Sequence, residues 1–529
     1  MLKVYTARAI LSRMYHASKY KVDIPESSVT DYIFRRVGNH GHKVALIDGI
    51  NDRGFTFDQL HEEVRHVTNS LGSLGLKHGD VACLCGTNVP EFAHVFCSVT
   101  SLGAALTIAN SQLTPGEILQ QVKDTNSHLL FTTEDCAEKA LQVQKSSNNQ
   151  IKNVIVFGSS TNCISFEDLK KEGPEVDLPV IEPESDVALI PFSSGTTGLP
   201  KGVQLTHRNI VAELAALSHP LFLPFNNDDS SLSALPMVHI AGLVIGMLNP
   251  LSQGATVVTL PRFQPEAFLS SLQKHRVSFS LIAPPVVNFL ASDPLVDKFD
   301  LSHWTTPYSG AASLGAELTM KMVTRLNLKG IRQGYGMSEA SPATHTTPLD
   351  GWKYGSIGVP LPNTECKIMD IESRRDLGVD QQGEIMVRGP QIMKGYLNNP
   401  AATRETFTDD GWMRTGDIGY FDKDGHYFVV DRLKEIIKYK GYQISPVYLE
   451  SILLSHQSVE DAAVVGIPHG VDGHLPTAFV VCNNKTPEST LADFVNSKVA
   501  PYKQLRGGVH IVKEIPRLPS GKILRRKLV

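Results

Sequence analysis

Short apolar strands alternate with helical runs along much of the chain, and this alternation limits the fold more than any other feature. Residues 44–47, 81–84 and 129–131 are apolar runs of strand length, whereas residues 57–76, 89–102 and 115–125 carry helical patterns. Such alternation favours parallel sheets with helices on their faces. It continues to about residue 342, so we expect an α/β fold over that part of the chain.

Two later segments have a different character. From residue 355 to residue 430, short strands recur between turns, which is typical of a smaller and mainly β unit. From residue 436 to the end, the sequence predicts helices over 447–454 and 491–498 and strands over 462–465 and 478–481. We expect this last segment to form a small α+β domain.

Composition excludes several classes of protein. A chain of 529 residues suggests about three structural units, and 42% hydrophobic with 20% charged residues is ordinary for a globular protein. The net charge of −4 gives no reason to expect a nucleic-acid surface. No apolar run is long enough to predict a transmembrane helix. The seven cysteines are odd in number and widely scattered, which favours a reducing compartment over a disulfide framework.

The first 22 residues are basic. They contain five lysines and arginines and have no acidic residue before Asp23. This composition is typical of a mitochondrial transit peptide, and a basic first helix or a disordered arm is the alternative. The expected location is the mitochondrial matrix if residues 1–22 are a transit peptide, and otherwise the cytoplasm or the peroxisome. The final residues, Leu528 and Val529, do not form a Ser-Lys-Leu peroxisomal signal.

One stretch rich in glycine and hydroxyl groups is typical of a phosphate-binding loop. It consists of Ser193, Ser194, Gly195, Thr196, Thr197, Gly198, Leu199, Pro200, Lys201 and Gly202. Residues 187–190 before it suit a buried strand and residues 207–213 after it open a helical pattern, so we expect the loop to join a strand to a helix. A Walker A loop is disfavoured, because that motif needs Lys directly after Gly and then Ser or Thr.

This loop resembles the first signature of the adenylate-forming superfamily, which includes acyl-CoA synthetases, plant coumarate-CoA ligases, beetle luciferases and peptide-synthetase adenylation domains. The resemblance extends over residues 24–526. It implies a large adenylate-forming domain over residues 23–432 with the ATP and acid sites. It also implies a mobile small C-terminal domain over residues 433–529 that carries a catalytic lysine.

Further motifs follow in the order found in this family, and the resemblance assigns them to the nucleotide. The block from Gln333 to Glu339 implies that Tyr335 packs on adenine and that Glu339 holds Mg²⁺ together with Thr196. A carboxylate that accepts two hydrogen bonds suits the ribose diol, and this role falls to Asp417, with Arg432 at the ribose or phosphate. The complete set implied for ATP also contains Ser193, Ser194, Gly195, Thr197, Gly198, Lys201, Gly310, Ala311, Gly336 and Ser338.

The C-terminal domain contributes residues to both expected steps. By resemblance, Lys522 is the ammonium that stabilises negative charge during adenylation, and Lys434 is the hinge about which the domain rotates. The rotated domain brings Lys438 and Gly441 to the pantetheine channel of coenzyme A. Glycine there allows the backbone to approach a narrow thiol arm closely.

The acid pocket is assigned by the same resemblance. His239 gates the site, Ile240, Ala241 and Gly242 lie along the pocket, and the residues opposite are Gly310, Ala312, Gly334 and Pro342. A satisfied core histidine is the alternative for His239. Plant coumarate ligases usually carry Tyr where Ala241 stands, so the small residues here predict a longer or wider apolar slot.

Local matches are nearest to beetle luciferases and luciferase-like acyl-CoA synthetases. However, luciferases have a second His after the residue at 239 and a Ser at 342, where this chain has Ile240 and Pro342. The predicted function is therefore an ATP-dependent carboxylic acid:CoA ligase that uses Mg²⁺ and acts on a fatty or arylpropenoic acid. The alternatives are luciferin adenylation and oxidation, or a non-catalytic protein that binds an acyl group or a nucleotide.

Overall fold

Four sheets form the framework of the described chain. The structure is a computed structural model, and it describes residues 15–37, 40–193, 200–310, 314–440, 442–470, 472–517 and 521–529. Its strands are β1 (Tyr15–Ala17), β2 (Val44–Asp48), β3 (Gly54–Thr56), β4 (Val81–Gly86), β5 (Ala105–Asn110), β6 (Leu129–Thr133), β7 (Asn153–Phe157), β8 (Ile164–Ser165), β9 (Val187–Leu189), β10 (Phe192–Ser193), β11 (Lys201–Thr206), β12 (Ser230–Ser233), β13 (Thr256–Thr259), β14 (Phe279–Ile282), β15 (Thr306–Ser309), β16 (Arg332–Gly336), β17 (Ala343–Thr346), β18 (Val359–Pro360), β19 (Glu365–Met369), β20 (Asp376–Leu377), β21 (Gly383–Arg388), β22 (Gly395–Tyr396), β23 (Met413–Phe421), β24 (Tyr427–Arg432), β25 (Ile437–Tyr439), β26 (Tyr442–Ile444), β27 (Val459–His469), β28 (Gly473–Cys482) and β29 (Val509–Ile511).

Helices cover the faces of these sheets. They are α1 (Val29–Val37), α2 (Phe57–Ser73), α3 (Glu91–Ser101), α4 (Pro115–Thr125), α5 (Ala137–Ser146), α6 (Phe166–Leu169), α7 (His207–Leu217), α8 (Asn249–Ser252), α9 (Pro265–Lys274), α10 (Pro284–Ser292), α11 (Ala316–Arg325), α12 (Pro400–Thr406), α13 (Pro446–Leu454) and α14 (Glu488–Asn496). A π-helix, Ala241–Leu248, leads directly into α8.

Local sequence signals fix several helix starts. Thr56, Thr114 and Thr206 each accept a hydrogen bond from the backbone three residues on, and the side chain at that third position returns a bond to the cap. This capping box satisfies backbone donors that a helix start otherwise leaves unpaired. The observed start of α7 at His207 agrees with the predicted one.

The first two sheets are mainly parallel. Sheet I has the order β10-β11-β9-β5-β4-β6-β7-β8, with β22 paired to β11. Sheet II has the order β18-β17-β16-β15-β14-β12-β13-β2-β3. In sheet II, the strands from β16 to β2 are parallel, so the carboxyl ends of β15 and β16 lie at the same edge. Residues of the predicted acid pocket lie at that edge.

Sheet III is antiparallel and contains the first described residues. Its order is β1-β19-β21-β23-β24, with β20 paired to β19. Strand β1 pairs with residues 365–367, and Ser18 Oγ then donates to the carbonyl of Pro360 at 3.0 Å. Residues 15–17 of the predicted basic extension are therefore part of the sheet that follows the parallel units.

Sheet IV belongs to the last segment, with the order β26-β25-β28-β27 and β29 paired to β28. Its core is formed by residues such as Ile444, Leu449, Val464 and Val480, all fully buried. The predicted α/β fold with a small α+β C-terminal unit is confirmed. Within the described residues, no helix has both the length and the apolar character needed to cross a membrane.

Candidate functional site

The predicted phosphate loop connects two strands. Strands β10 and β11 pair antiparallel, with Ser193 opposite Lys201, so the loop closes a β-hairpin. The expectation that it joins a strand directly to a helix is wrong, because Lys201–Thr206 continues as a strand before α7 begins. Ser194, Gly195, Thr196, Thr197, Gly198 and Leu199 lie outside the described residues. The described ends place Ser193 and Lys201 side by side.

Tyr396 connects the end of this loop to the predicted metal ligand. The Lys201 ammonium lies 4.9 Å from the centre of the Tyr396 ring, and Tyr396 Oη donates to Glu339 Oε1 at 2.8 Å. Burial and the Glu339 carboxylate raise the pKa of Tyr396, so its hydroxyl remains a donor. Sequence reasoning missed Tyr396, because only the pairing of β22 with β11 brings it here.

A second group of side chains surrounds Asp417. Asp417 on β23 stands opposite Arg432 on β24, and Arg432 Nε lies 3.1 Å from Asp417 Oδ1. Tyr335 Oη donates to the other carboxylate oxygen at 2.7 Å. The structure thus brings together three residues predicted for the nucleotide. The sequence had suggested only the ring face of Tyr335, whereas its hydroxyl orients the carboxylate.

Burial affects the charges of this group. Burial raises the pKa of Asp417, and Arg432, Tyr335 and Lys522 act in the opposite direction. Burial also raises the pKa of Tyr335 well above its usual value, and the Asp417 carboxylate adds to that rise. The Tyr335 hydroxyl therefore stays protonated at neutral pH and acts as a hydrogen-bond donor. The carboxylate is fixed by its neighbours in an orientation that leaves oxygen lone pairs for further donors.

Lys522 lies close to this group although it comes from the end of the chain. Burial lowers the pKa of the Lys522 ammonium, and Arg432 lowers it further, while Glu435 and Asp417 oppose the change. A Cβ atom placed on Gly521 would be 3.3 Å from the Cβ of Ala283, at the carboxyl end of β14. The segment that carries Lys522 therefore lies against sheet II and its lysine faces Asp417 and Arg432.

Arg517 holds the turn before Lys522. Its guanidinium donates to the carbonyl of Gly521 at 2.7 Å and pairs with Asp461 on β27 at 2.5 Å. Gly521 has φ +85°, a backbone conformation that favours glycine. Residues 518–520 lie outside the described residues. This contact anchors the lysine turn to the C-terminal sheet.

The predicted acid-site residues gather around Tyr308. A Cβ atom on Gly334 would be 1.9 Å from Tyr308 Oη, and one on Gly310 would be 3.8 Å from the carbonyl oxygen of Gly334. Ala241, the first residue of the π-helix, packs against the core that holds Tyr308 and Ala343. There is equally little room for a side chain at Gly242, where an added Cβ atom would be 2.5 Å from the carbonyl oxygen of Pro236. Ala311 and Ala312 lie outside the described residues.

His239 is a neutral side chain in this region. Burial lowers its pKa to about 4, and its Nε2 is buried with no hydrogen-bond partner among the described residues. The alternative of a satisfied core histidine is therefore not what the structure shows. Ile240 is buried beside it, and Pro342 is buried immediately before β17.

Other buried polar atoms near this region have no partner within the described chain. They include Ser309 Oγ before Gly310, Ser341 Oγ before Pro342 and Glu213 Oε2 on α7. Sequence reasoning missed all three. A signal for Glu213 was present, because it is the only charged residue between Asn209 and Leu217 in an otherwise apolar helix.

The residues expected to act with coenzyme A stand apart from these groups. Lys438 is exposed on β25, and Lys434 is also exposed, between β24 and β25. Gly441 lies outside the described residues.

Two further residues predicted for ATP lie beside the strand that carries Tyr335. Gly336 is exposed and Ser338 is half-buried. Across the described ranges, no three His, Cys, Asp or Glu side chains are grouped so as to hold a metal ion among themselves.

Two models of known protein families together match most of the chain. The family described as AMP-binding enzyme matches residues 33–397, and the AMP-binding enzyme C-terminal domain matches residues 448–522. The second match ends at Lys522. The two matches cover the phosphate hairpin, the acid-site strands and strands β27, β28 and β29 of the C-terminal sheet.

Curated relatives are similar over almost their whole length. Probable 4-coumarate--CoA ligase 1 of Dictyostelium discoideum is 37% identical over 541 residues, with 98% of each chain covered. 4-Coumarate--CoA ligase 1 of Petroselinum crispum is 39% identical over 509 residues, covering 94% of this chain and 92% of the relative.

Solved structures share the fold. The anthranilate CoA ligase AuaEII, in complex with anthranoyl-AMP, has a TM-score of 0.88 at 25% identity, covering 96% of this chain and 97% of that one. The o-succinylbenzoate CoA synthetase MenE of Bacillus subtilis, in complex with its acyl-adenylate intermediate, has a TM-score of 0.81 at 27% identity. That alignment covers 94% of this chain and 97% of the other.

Proposed function

This chain belongs to the AMP-binding enzyme family, and from this membership we propose how its own residues activate an acid and pass it to coenzyme A. The chain is an AMP-forming acid–thiol ligase that uses ATP. A carboxylate oxygen of the acid attacks the α-phosphorus of ATP, and the bond from that phosphorus to pyrophosphate breaks. The acyl-adenylate is then attacked by the thiol.

The observation that carries the proposal is the position of Lys522 beside Asp417 and Arg432. In the first step, negative charge is redistributed between the attacking carboxylate and the phosphates. An ammonium held between them stabilises that arrangement, by about 2.7–4 kcal/mol if it acts as an oxyanion donor does. The lowered pKa of Lys522 and its burial fit a charge that works in a water-poor site.

The nucleotide would be held at two ends. Asp417 accepts from both ribose hydroxyls, with Tyr335 and Arg432 fixing the orientation of its carboxylate. Ser193 and Lys201 stand at the two ends of the hairpin loop that would surround the phosphates. A lysine at the end of a strand can contact phosphate oxygens as a point charge.

Mg²⁺ would be held by Glu339, with Thr196 as a second oxygen ligand. Glu339 suits the ion, since Mg²⁺ in nucleotide enzymes takes one or two carboxylates plus phosphate and water oxygens. When bound, the ion neutralises phosphate charge. Tyr396 donates to one oxygen of Glu339 and so orients the carboxylate toward that role.

In the second step, the C-terminal domain would rotate about Lys434 and present Lys438 and Gly441. The sulfur of coenzyme A attacks the acyl carbonyl carbon, the bond from that carbon to the AMP oxygen breaks, and the thiol proton is lost. AMP and the acyl-CoA thioester are the products. Lys438 is exposed in the present orientation, as expected for a residue that acts only after rotation.

The acid is hydrophobic, and its class follows from the pocket and the relatives. The named relatives are coumarate-CoA ligases, which supports an arylpropenoic acid. The small side chain of Ala241 also leaves room for an aliphatic acid. We propose that the pocket accepts both classes and that filling it by Ala241→Tyr would penalise the longer or bulkier acids most.

Lys522→Ala tests the assigned role of the lysine. It should lower acid-dependent pyrophosphate release by about 100- to 1,000-fold, because the charge that stabilises the first transition state is lost. Thioester formation from a supplied acyl-adenylate should continue. Lys527→Ala, an exposed lysine five residues on, is the matched control. An equal loss of both half-reactions in Lys522→Ala would argue against this assignment.

A further inference from the structure

Glu213 on α7 has a buried carboxyl group, and only one of its two oxygens has a hydrogen-bond partner among the described residues. It is fully buried, and its Oε1 accepts a hydrogen bond from the backbone N–H of Ala343 at 3.0 Å. Its Oε2 is buried without a hydrogen-bond partner anywhere in the described ranges. A polar group left in this condition destabilises a folded protein. A sequence retains such a group most readily where a ligand completes its hydrogen bonding.

The neighbours of Glu213 are those of the acid site. Ala343 follows Pro342, the residue assigned to the pocket wall. Tyr308, whose hydroxyl lies against the backbone of Gly334, is also nearby: burial raises the pKa of Tyr308 to about 12, and the Glu213 carboxyl adds to that rise. Residues of β15 and β17, two strands that border the predicted pocket, therefore lie near this carboxyl.

The helix carrying Glu213 also faces the pocket. Ala216 and Leu217, three and four residues further along α7, lie on the same side of the helix as Glu213. They pack in one core with Tyr308 and Ala343, and Ala241 packs against that core. Glu213 therefore lies on the face of α7 that packs against this core, and Ala241 of the predicted pocket packs against the same core.

The protonation state decides which ligand groups Glu213 can pair with. Burial raises its pKa well above the usual 4.5, and the Ala343 N–H only partly offsets this. A protonated carboxyl group has one O–H donor and keeps acceptor capacity. A hydroxyl group on the ligand can donate a hydrogen bond to this carboxyl group or accept one from it, whereas a methyl group leaves the carboxyl group without a partner.

We propose that Glu213 is a specificity residue at the far end of the acid pocket, and that it pairs with a hydroxyl group carried there by the acid. The proposal rests on the ligase function and names the chemistry of its substrate. The preferred acid has an apolar body with a neutral hydroxyl at the end remote from the carboxylate. The 4-position hydroxyl of a coumarate and the terminal hydroxyl of an ω-hydroxy fatty acid both meet this description.

Paired acids that differ only at the far end provide the test. The wild-type chain is assayed for acyl-CoA formation with 4-hydroxycinnamate, cinnamate and 4-methylcinnamate, and with ω-hydroxy and plain fatty acids of matched lengths. In at least one series, kcat/KM for the hydroxylated acid should exceed that for its partner by roughly 10- to 100-fold. A preference for the methyl or unsubstituted acids in every series would overturn the proposal.

Variants connect that preference to Glu213. Glu213→Leu should remove or reverse the preference, because it replaces the unpaired carboxyl by an apolar surface, while Glu213→Gln should retain part of it. The KM for ATP should not change in either variant. Glu91→Gln is the matched control, because Glu91 is also buried but pairs with Arg53, which precedes β3 at the opposite edge of sheet II from β17. If Glu213→Leu keeps the wild-type preference, the proposal is wrong.

The outcome separates this proposal from the ligase function. If no acid yields acyl-CoA, the ligase function itself fails. If hydroxylated and plain acids react equally well in wild type, the ligase function stands and the role of Glu213 is refuted. A preference for amino-terminated acids would also refute the neutral hydroxyl partner, because it would require an ionised Glu213.

Discussion

Individual side chains in this site act through neighbours that lie far away in sequence. Tyr396 and Glu339 are an example: a hydroxyl donates to the carboxylate predicted to hold Mg²⁺, while the same ring lies under the Lys201 ammonium. Asp417 is oriented in the same way by Tyr335 and Arg432. In both cases a second residue fixes an oxygen that a ligand would use.

Tyr396→Phe tests whether this orientation matters. Loss of the hydroxyl removes one hydrogen bond to a carboxylate, worth about 1.5–3 kcal/mol, so the Mg²⁺ concentration for half-maximal pyrophosphate release should rise by roughly 10-fold or more. The KM for the acid should change little. Tyr420→Phe, a tyrosine stacked on Phe428 in sheet III, is the control. An unchanged Mg²⁺ dependence in Tyr396→Phe would show that the hydroxyl does not position Glu339.

The sequence predicted some of these residues and missed others for a physical reason. Asp417, Arg432, Tyr335 and Lys522 lie in motifs, and the structure brings them together as expected. Tyr396 and Ser341 carry no local signal, because their roles depend on strand pairing or on burial. Glu213 had a signal in its apolar helix, but only tertiary packing shows that one of its oxygens lacks a partner.

At the scale of elements, periodicity predicted more than connectivity. The predicted helix over 115–125 coincides with α4, and the strand predicted over 129–131 is the first part of β6. The phosphate loop was assigned the wrong connection, because Lys201 and Gly202 were counted as part of the loop and only residues 203–206 remained before the helical pattern. Its partner strand β10 has only two residues, so no period-2 pattern can form.

The edge strand β1 limits where an N-terminal leader could be removed. Residues 15–17 pair with β19, and Asn363 Nδ2 donates to the carbonyl of Val22 at 2.8 Å. We propose that any transit peptide ends before Tyr15. A chain beginning at Tyr15 should keep the melting temperature of the full chain, whereas one beginning at Asp23 should melt lower, because it loses the strand and the Ser18 contact.

Differential scanning calorimetry of the two truncated chains measures this effect. N-terminal sequencing of the protein isolated from mitochondria would locate the natural cleavage site, if there is one. Equal stability of the two truncated chains would show that β1 contributes nothing to sheet III. Cleavage after residue 22 in cells would contradict the proposed limit.

At the scale of the whole molecule, one group of hydrogen bonds joins the antiparallel sheet III to the first helix of the C-terminal segment, near the predicted hinge. Asp431 at the end of β24 accepts from Ser445 Oγ at 2.6 Å and from the Val447 N–H at 3.3 Å, on either side of the start of α13. Together with the position of Lys522, this contact describes an orientation suited to the first step. Rotation about Lys434 for the second step would have to alter it.

Family membership and the α/β fold were both predicted from the sequence and are confirmed. The motif order was sufficient for this, because each motif has the residue types that its chemistry needs at the expected place. The choice of acid was not fixed at that level, since it depends on how residues from distant parts of the chain pack around the predicted acid pocket. The relatives and Glu213 together make a hydroxylated apolar acid our central expectation.

The most direct test of the account is pyrophosphate release by the purified chain with ATP and Mg²⁺, using aliphatic and aromatic acids with and without coenzyme A. We expect release to require an acid, to increase when coenzyme A is present, and to yield AMP and an acyl-CoA thioester in equal amounts. Release of ADP and phosphate, or no release with any acid, would contradict it.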